Sequence, residues 1–285
     1  MSQSLGTAVV TGASSGIGAV YADRLARRGY DLILVARDEQ RLNALAERLR
    51  AQAKVKVEVI RADLTRHADL AVVEQRLATD SSITLLVNNA GGAASGAFET
   101  VGADRFEQLI QLNVTSVTRL SAAVVPNFLA RGKGSIINVS SVLALAPEIG
   151  MPVYNATKAF VLTLSQSLHT ELGPKGVHIQ AVLPAATRTE IWERAGMDLD
   201  KFPPGSVMDA GDLVDAALVG FDKGETITIP PLQDEGQWLA FEAARKTMLP
   251  NLRSDVPAPR YRTGALISEG LEDGPDGLPF SLARS

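Results

Sequence analysis

The stretch SSVLALAPEIGMPVYNATKAF, residues 140–160, holds side chains that can move a proton. Tyr154 and Lys158 are four residues apart, so on a helix they share one face. A free phenol ionises near pH ~10, too high for easy proton transfer at neutral pH. A nearby ammonium favours the phenolate, so the spacing predicts that Lys158 lowers the Tyr154 pKa. A phenol tuned in that way serves as a general acid and base. Ser141 precedes the tyrosine by thirteen residues and can donate a hydrogen bond to a carbonyl oxygen as charge builds there. Taken singly, a Ser, Tyr or Lys is usually structural or solvated, so the surrounding elements have to bring the three together.

A second group of residues lies near the start of the chain. TGASSGIG, residues 11–18, stands between an apolar run and a helix-like run. Gly12, Gly16 and Gly18, with Ser14, Ser15 and Ile17 between them, allow a tight turn. The N–H groups that open the following helix then face an anion. An ordinary βα turn is the plain alternative, but the position after the first strand favours a dinucleotide pyrophosphate. The second strand ends in Ala36 and Arg37 rather than in the acid that binds a ribose 2′-hydroxyl. A guanidinium grips a 2′-phosphate in a bidentate manner, so NADP(H) is favoured over NAD(H). Asp38, the next residue, is the competing candidate for a hydroxyl contact.

Elements able to position these groups are legible in the chain. Apolar runs at 7–10, 31–36, 55–60, 83–88, 135–140, 177–183 and 225–229 alternate with helix-like segments such as 16–28 and 40–53. Most runs are continuously apolar, as in parallel strands covered on both faces. The run VKVEVI alternates, which suits a strand near an edge. The rhythm predicts an α/β fold: a Rossmann-like doubly wound parallel sheet of about seven strands with helices on both faces. One domain is expected over 1–249, with a Pro- and Gly-rich excursion at 184–212, followed by an arm or tail over 250–285.

Composition narrows the class. Hydrophobic residues make up 46% and charged residues 21%, as in globular proteins. A net charge of −4 argues against a nucleic-acid partner, and the chain has no cysteine for disulfide or thiol chemistry. His67, His169 and His178 lack metal-ligand spacing, so no metal is expected. No signal-like N-terminus or membrane-length apolar run is visible, so a cytoplasmic protein is the default.

The motifs also stand in a fixed order: TGASSGIG, Asp63 after the third strand, NNAG at 88–91, Asn113, Ser141 and YNATK at 154–158. This set resembles the short-chain dehydrogenase/reductase family in its single-domain form, over roughly residues 5–230. The resemblance implies a catalytic four of Asn113, Ser141, Tyr154 and Lys158, with Asn113 holding a water in a proton relay. The usual spacing to the tyrosine selects Ser141 over Ser140. Asp63 and Leu64 would border the adenine. Asn88, Ala90 and Gly91 would border the adenosine ribose and steady the central strand, Asn89 would join the cofactor-binding residues, and Lys158 would bond the nicotinamide ribose. Pro184, Thr187 and Thr189 would flank the nicotinamide, although Ala185 replaces the family's usual glycine.

The implied activity interconverts a carbonyl and an alcohol by hydride transfer with Tyr154 as acid/base. The substrate pocket is expected from Ala93, Val142, Leu143, Ile149, Met151 and Trp192, which suits a small molecule with a hydrophobic body. Charged residues of the excursion, Arg188, Glu190, Glu193 and Arg194, are expected to face solvent. A homodimer or homotetramer packed through helices at 106–126 and 154–172 is implied, with Leu162 among the packing residues. The rival readings are a catalytically silent NADP-binding sensor, an extended-family epimerase or dehydratase, and a 3-oxoacyl-carrier reductase.

Overall fold

Seven short runs of β-branched and aliphatic residues become the strands β1 (Thr7–Thr11), β2 (Asp31–Ala36), β3 (Val57–Arg61), β4 (Ile83–Asn88), β5 (Gly134–Val139), β6 (Val177–Val182) and β7 (Ile227–Thr228). The structure is a computed structural model and describes residues 5–262. The strands form one parallel sheet in the order β3-β2-β1-β4-β5-β6-β7. The alternating run therefore does lie at an edge, as β3. The run expected at 225–229 contracts to two paired residues at the other edge.

Side chains leave each strand alternately above and below, so both faces need cover. Ala8, Val10, Leu32 and Leu34 pack on one side with Tyr21, Leu25, Leu42 and Val214. These come from α1 (Gly16–Arg27), α2 (Glu39–Ala53) and α9 (Ala210–Asp222). Val9, Ile33, Val35 and Leu86 pack on the other side with Leu70, Val73, Leu120 and Phe128. These belong to α3 (His67–Thr79) and α6 (Ser116–Arg131), and α7 (Pro152–Leu172) closes the layer. The strand order reverses between β1 and β4, and a parallel sheet offers its crevice at that point, beyond the strand C-termini.

The segment expected as one helix over 106–126 is divided. A one-turn α4 (Phe98–Val101) and α5 (Ala103–Ile110) lead into a π-helical turn at Gln111–Thr115, and α6 follows. The wider turn brings Asn113 inside, where it is buried. After β6 the chain leaves the sheet. This excursion carries α8 (Ile191–Arg194), and a parallel bridge between Thr187 and Met208 closes its base.

The first compact unit ends at Leu232 and a second begins at Gln233. The division thus falls before the boundary at 249 read from the sequence, because α10 (Glu235–Thr247) belongs to the second unit. In that unit Trp238 and Phe241 stack with ring centroids 5.5 Å apart. Residues 263–285 of the expected arm lie outside the described residues. Among the described residues no helix is long and apolar enough to cross a membrane.

Candidate active site

The glycine turn follows directly from the end of β1. Gly12 has φ +66° and Gly16 φ +54°, a region that side chains strain to adopt. A Cβ on Gly12 would lie 2.8 Å from Asn89 Nδ2, and one on Gly16 would lie 2.9 Å from Thr189 Cγ2. The turn thus has no room for a side chain at either position. α1 opens with no acidic residue in its first turn and no side chain capping it, so its N–H groups can meet an anion.

Gly18 behaves differently from the reading that placed it beside the cofactor. It is absent from the cleft wall. A Cβ there would sit 2.3 Å from the Gly12 carbonyl oxygen, so this glycine lets α1 close onto the turn. Thr11 ties β1 to β4: its hydroxyl donates to the Val87 carbonyl and accepts from the N–H groups of Asn89 and Ala90.

The two asparagines of NNAG diverge. Asn88 is buried and donates to Ser121 Oγ and Asn138 Oδ1. It braces the strands and does not border the cleft. Asn89 donates to the carbonyls of Thr11 and Gly12 and does line the cleft, with Ala90 and Gly91.

At the far end of this wall Arg37 lines the cleft beside Asp63 and Leu64. Burial raises the Asp63 carboxyl pKa, but the Thr65 hydroxyl and N–H, with Arg37 and Arg66 nearby, outweigh it and hold the group below its ordinary value. Asp38 caps α2 by accepting from the Arg41 N–H at 3.0 Å. Its carboxylate is engaged as a helix cap, and Arg37 beside it lines the cleft.

Ser140 and Ser141 follow β5. The Ser140 hydroxyl donates to the Lys158 carbonyl at 2.7 Å. Ser141 lines the cleft, accepts from the Leu143 N–H at 3.1 Å and interacts with the Tyr154 hydroxyl. Tyr154 and Lys158 are both buried on α7, with Lys158 Nζ 5.7 Å from the ring centroid. Nζ donates to the Val139 carbonyl at 2.8 Å.

This geometry corrects the expected electrostatics. Burial pushes the Tyr154 phenol up to about 12, only partly offset by Ser141. Burial also pulls Lys158 down to about 8. Desolvation penalises both charged forms, and it is the largest cause of each shift. Asn113 is likewise spoken for. Its Nδ2 donates to the Gly92 carbonyl and Thr157 Oγ1, and its Oδ1 accepts from the Gly92 N–H. It reaches Lys158 only across Gly91: a Cβ there would lie 3.3 Å from Asn113 Oδ1 and 3.5 Å from Lys158 Nζ.

One cleft of about 960 Å³ joins these parts, from the glycine turn and Arg37 to Ser141, Tyr154 and Lys158. Pro184, Thr187 and Thr189 line it, as do Ala93, Val142, Leu143, Ile149, Met151 and Trp192. Trp192 Nε1 donates to the Thr187 carbonyl at 2.9 Å, which seats α8 on the wall. Around Tyr154 the packing is apolar, with Ala93, Leu109, Leu143 and Met151 in one cluster. Two expectations fail, one about the excursion and one about α7. Glu190 and Arg194 line the cleft rather than only facing solvent, because α8 turns back over it. Leu162 is buried against Ala181 and Leu183 rather than presented outward, since its side of α7 lies on β6.

Asn155 was not singled out from the sequence. It is buried, and its Nδ2 donates to the carbonyls of Ile149 and Gly150 at 2.9 and 2.7 Å. Those bonds hold the turn in which Met151 takes φ +52°, a left-handed conformation for a non-glycine residue. The only signal was an amide in the first turn of a helix that follows an irregular loop. Arg105, Gln108 and Leu109 of α5 also line the cleft and were not anticipated. Nothing in the local pattern of an amphipathic helix marks which residues face a distant wall.

The family model described as short chain dehydrogenase matches residues 6–200. A very-long-chain 3-oxoacyl-CoA reductase-A from Danio rerio is 37% identical over 201 residues, covering 69% of this chain and 63% of that protein. The chain thus spans less than two thirds of that curated relative's length. A short-chain dehydrogenase from Sphingobium yanoikuyae, solved in complex with NADPH, is 57% identical with a TM-score of 0.89, covering 90% of this chain and all of that one. A bulky-bulky ketone specific alcohol dehydrogenase from Comamonas testosteroni is 52% identical with a TM-score of 0.85, covering 91% of this chain and 99% of that one. With the glycine turn and the Ser-Tyr-Lys group on one cleft, these likenesses place the chain in the short-chain dehydrogenase/reductase family, whose members are oxidoreductases acting on CH–OH and C=O groups.

Proposed function

We propose that the protein is an NADP(H)-dependent oxidoreductase that interconverts a bulky, hydrophobic ketone or aldehyde and its alcohol. The observation that carries this reading is the single cleft running from Arg37 and the glycine turn to the Tyr154 hydroxyl. The turn at residues 12–17 suits a pyrophosphate, because it lines the cleft and opens a helix with no acid in its first turn and no side-chain cap. Arg37 is suited to the 2′-phosphate, and Asp63 with Leu64 to the adenine. When bound, the nicotinamide supplies or accepts the hydride.

The chain's own residues handle orientation and the proton. The apolar wall of Ala93, Leu143 and Met151 favours a hydrophobic body and excludes water. Ser141 lies beside the Tyr154 hydroxyl, so both can donate to one carbonyl oxygen as it gains charge. A phenol held at about 12 is protonated through the neutral range, the form needed to protonate that oxygen during reduction. Lys158 places its positive charge under the same ring. The oligomer implied by the family resemblance is part of this reading.

A panel of ketones and their alcohols, assayed with NADPH and NADH, tests the proposal. Diaryl or long-chain ketones with NADPH should be turned over best. Tyr154→Phe should lower kcat about 10²- to 10⁴-fold without weakening cofactor binding. Turnover that survives this change removes the mechanism, and an NADH preference removes the role of Arg37. The similarity to the Danio rerio reductase favours a second reading, reduction of a 3-oxoacyl thioester, so such a thioester belongs in the panel.

A further inference from the structure

An ion-pair network spans the cleft at the end where Arg37 lies. Glu190, in the turn that opens α8, accepts from Arg41 of α2 through both carboxylate oxygens, at 2.7 and 2.9 Å. The same carboxylate accepts from Arg194 Nη2 at 2.5 Å. Arg41 also pairs with Asp38 at 3.4 Å. Residues 41 and 190 lie far apart in the chain, on α2 and at the start of α8, and Asp38, Glu190 and Arg194 line the cleft beside the pair. Elsewhere Ser95 donates to the Ala195 carbonyl, and within the excursion Trp192 donates to the Thr187 carbonyl. The Arg41–Glu190 pair joins the excursion to α2, beside the strand end that carries Arg37.

We infer that Glu190 is a positioning residue that straps the excursion to α2 across the bound cofactor and sets how fast the cofactor leaves. The inference rests on the reading that the cleft holds a dinucleotide. The pair is half exposed, with side chains 48% and 39% accessible, so it is a weak and salt-sensitive tie rather than a permanent closure. A tie of that strength suits a segment that must open once per turnover. Arg194 supplies a second cation from the lid itself, which keeps the carboxylate aligned when Arg41 lets go.

Stopped-flow fluorescence of NADPH release from the full-length protein tests this, using wild type, Glu190→Gln, Arg41→Met and the double variant. Each single variant should release NADPH about two- to fivefold faster, and the double variant no faster than the singles. KM for NADPH should rise more than kcat changes, and added salt should speed release from wild type more than from Glu190→Gln. Hydrogen exchange at amides 191–202 should quicken in Glu190→Gln without cofactor. Unchanged release, or effects that add in the double variant, overturns the proposal. Faster exchange with unchanged release makes the pair a structural tie alone and also overturns it. A wild-type protein that binds no NADPH defeats the dinucleotide reading instead, and the strap with it.

Discussion

At the scale of single residues, desolvation governs Tyr154 and Lys158. The folded-state pKa of Lys158, about 8, lies below its ordinary 10.5. Below about pH 8 both folded and unfolded chains carry the ammonium, and the folded state bears the full cost of burying it. As pH rises toward about 10.5 the unfolded chain loses its proton too, so that cost disappears and stability rises. Tyr154 acts oppositely, but only above about pH 10, where the unfolded phenol ionises first. Urea unfolding at about pH 8 and 9.5 should show wild type gaining about 1–2 kcal/mol relative to Lys158→Met. The same raised phenol predicts a pH–rate split. Reduction should be nearly flat from about pH 6 to 8, while alcohol oxidation should climb beyond about pH 9. At the other end of the cleft, Arg37→Ala should raise KM for NADPH about 10- to 100-fold and leave KM for NADH nearly unchanged, as a lost charged hydrogen bond would.

At the scale of elements, the sequence located the seven strands and most of the long helices, but not α3, the short α4 or the irregularities. The π-turn at 111–115 cannot be read from a window in which Phe106, Leu109 and Leu112 continue an ordinary helical stripe. It forms because Asn113 finds three partners inside, on Gly92 and Thr157. The loop before α7 is similar: its left-handed Met151 is held by Asn155, whose partners are loop carbonyls. Asn155→Ala should cost about 1–3 kcal/mol, because the loop carbonyls of Ile149 and Gly150 lose their buried donor. It should also raise the substrate KM more than the cofactor KM, since Ile149 and Met151 line the substrate end. Thermal melts and two-substrate kinetics check both outcomes.

At the scale of the molecule, the strand order matters more than any one motif. It delivers residues from the ends of β1, β2, β4, β5 and β6 to one side of the sheet, where the cleft lies. Beyond the single chain, the family resemblance implies assembly through α6 and α7. Leu129 and Phe160 on these helices are each more than a third exposed. Light scattering after gel filtration should show a dimer or tetramer, and Phe160→Arg should shift it toward smaller species if α7 forms the contact.

Local chemistry made the core of this protein legible in its sequence. Strand runs, the glycine turn and the Tyr-Lys spacing depend on neighbours within a few residues, and so does the alternation that placed β3 at an edge. Their types and order sufficed for the fold class and the family. The tertiary structure alone decided the rest, because burial and long-range pairing have no local signature. It took Asp38 for a helix cap and Gly18 for helix packing, and kept Asn88 to its strand brace, away from the cleft. It gave Ser140 to the Lys158 carbonyl and left Ser141 at the tyrosine. It also buried Tyr154 and Lys158 deeply enough that desolvation, rather than their mutual charge, sets how each holds its proton.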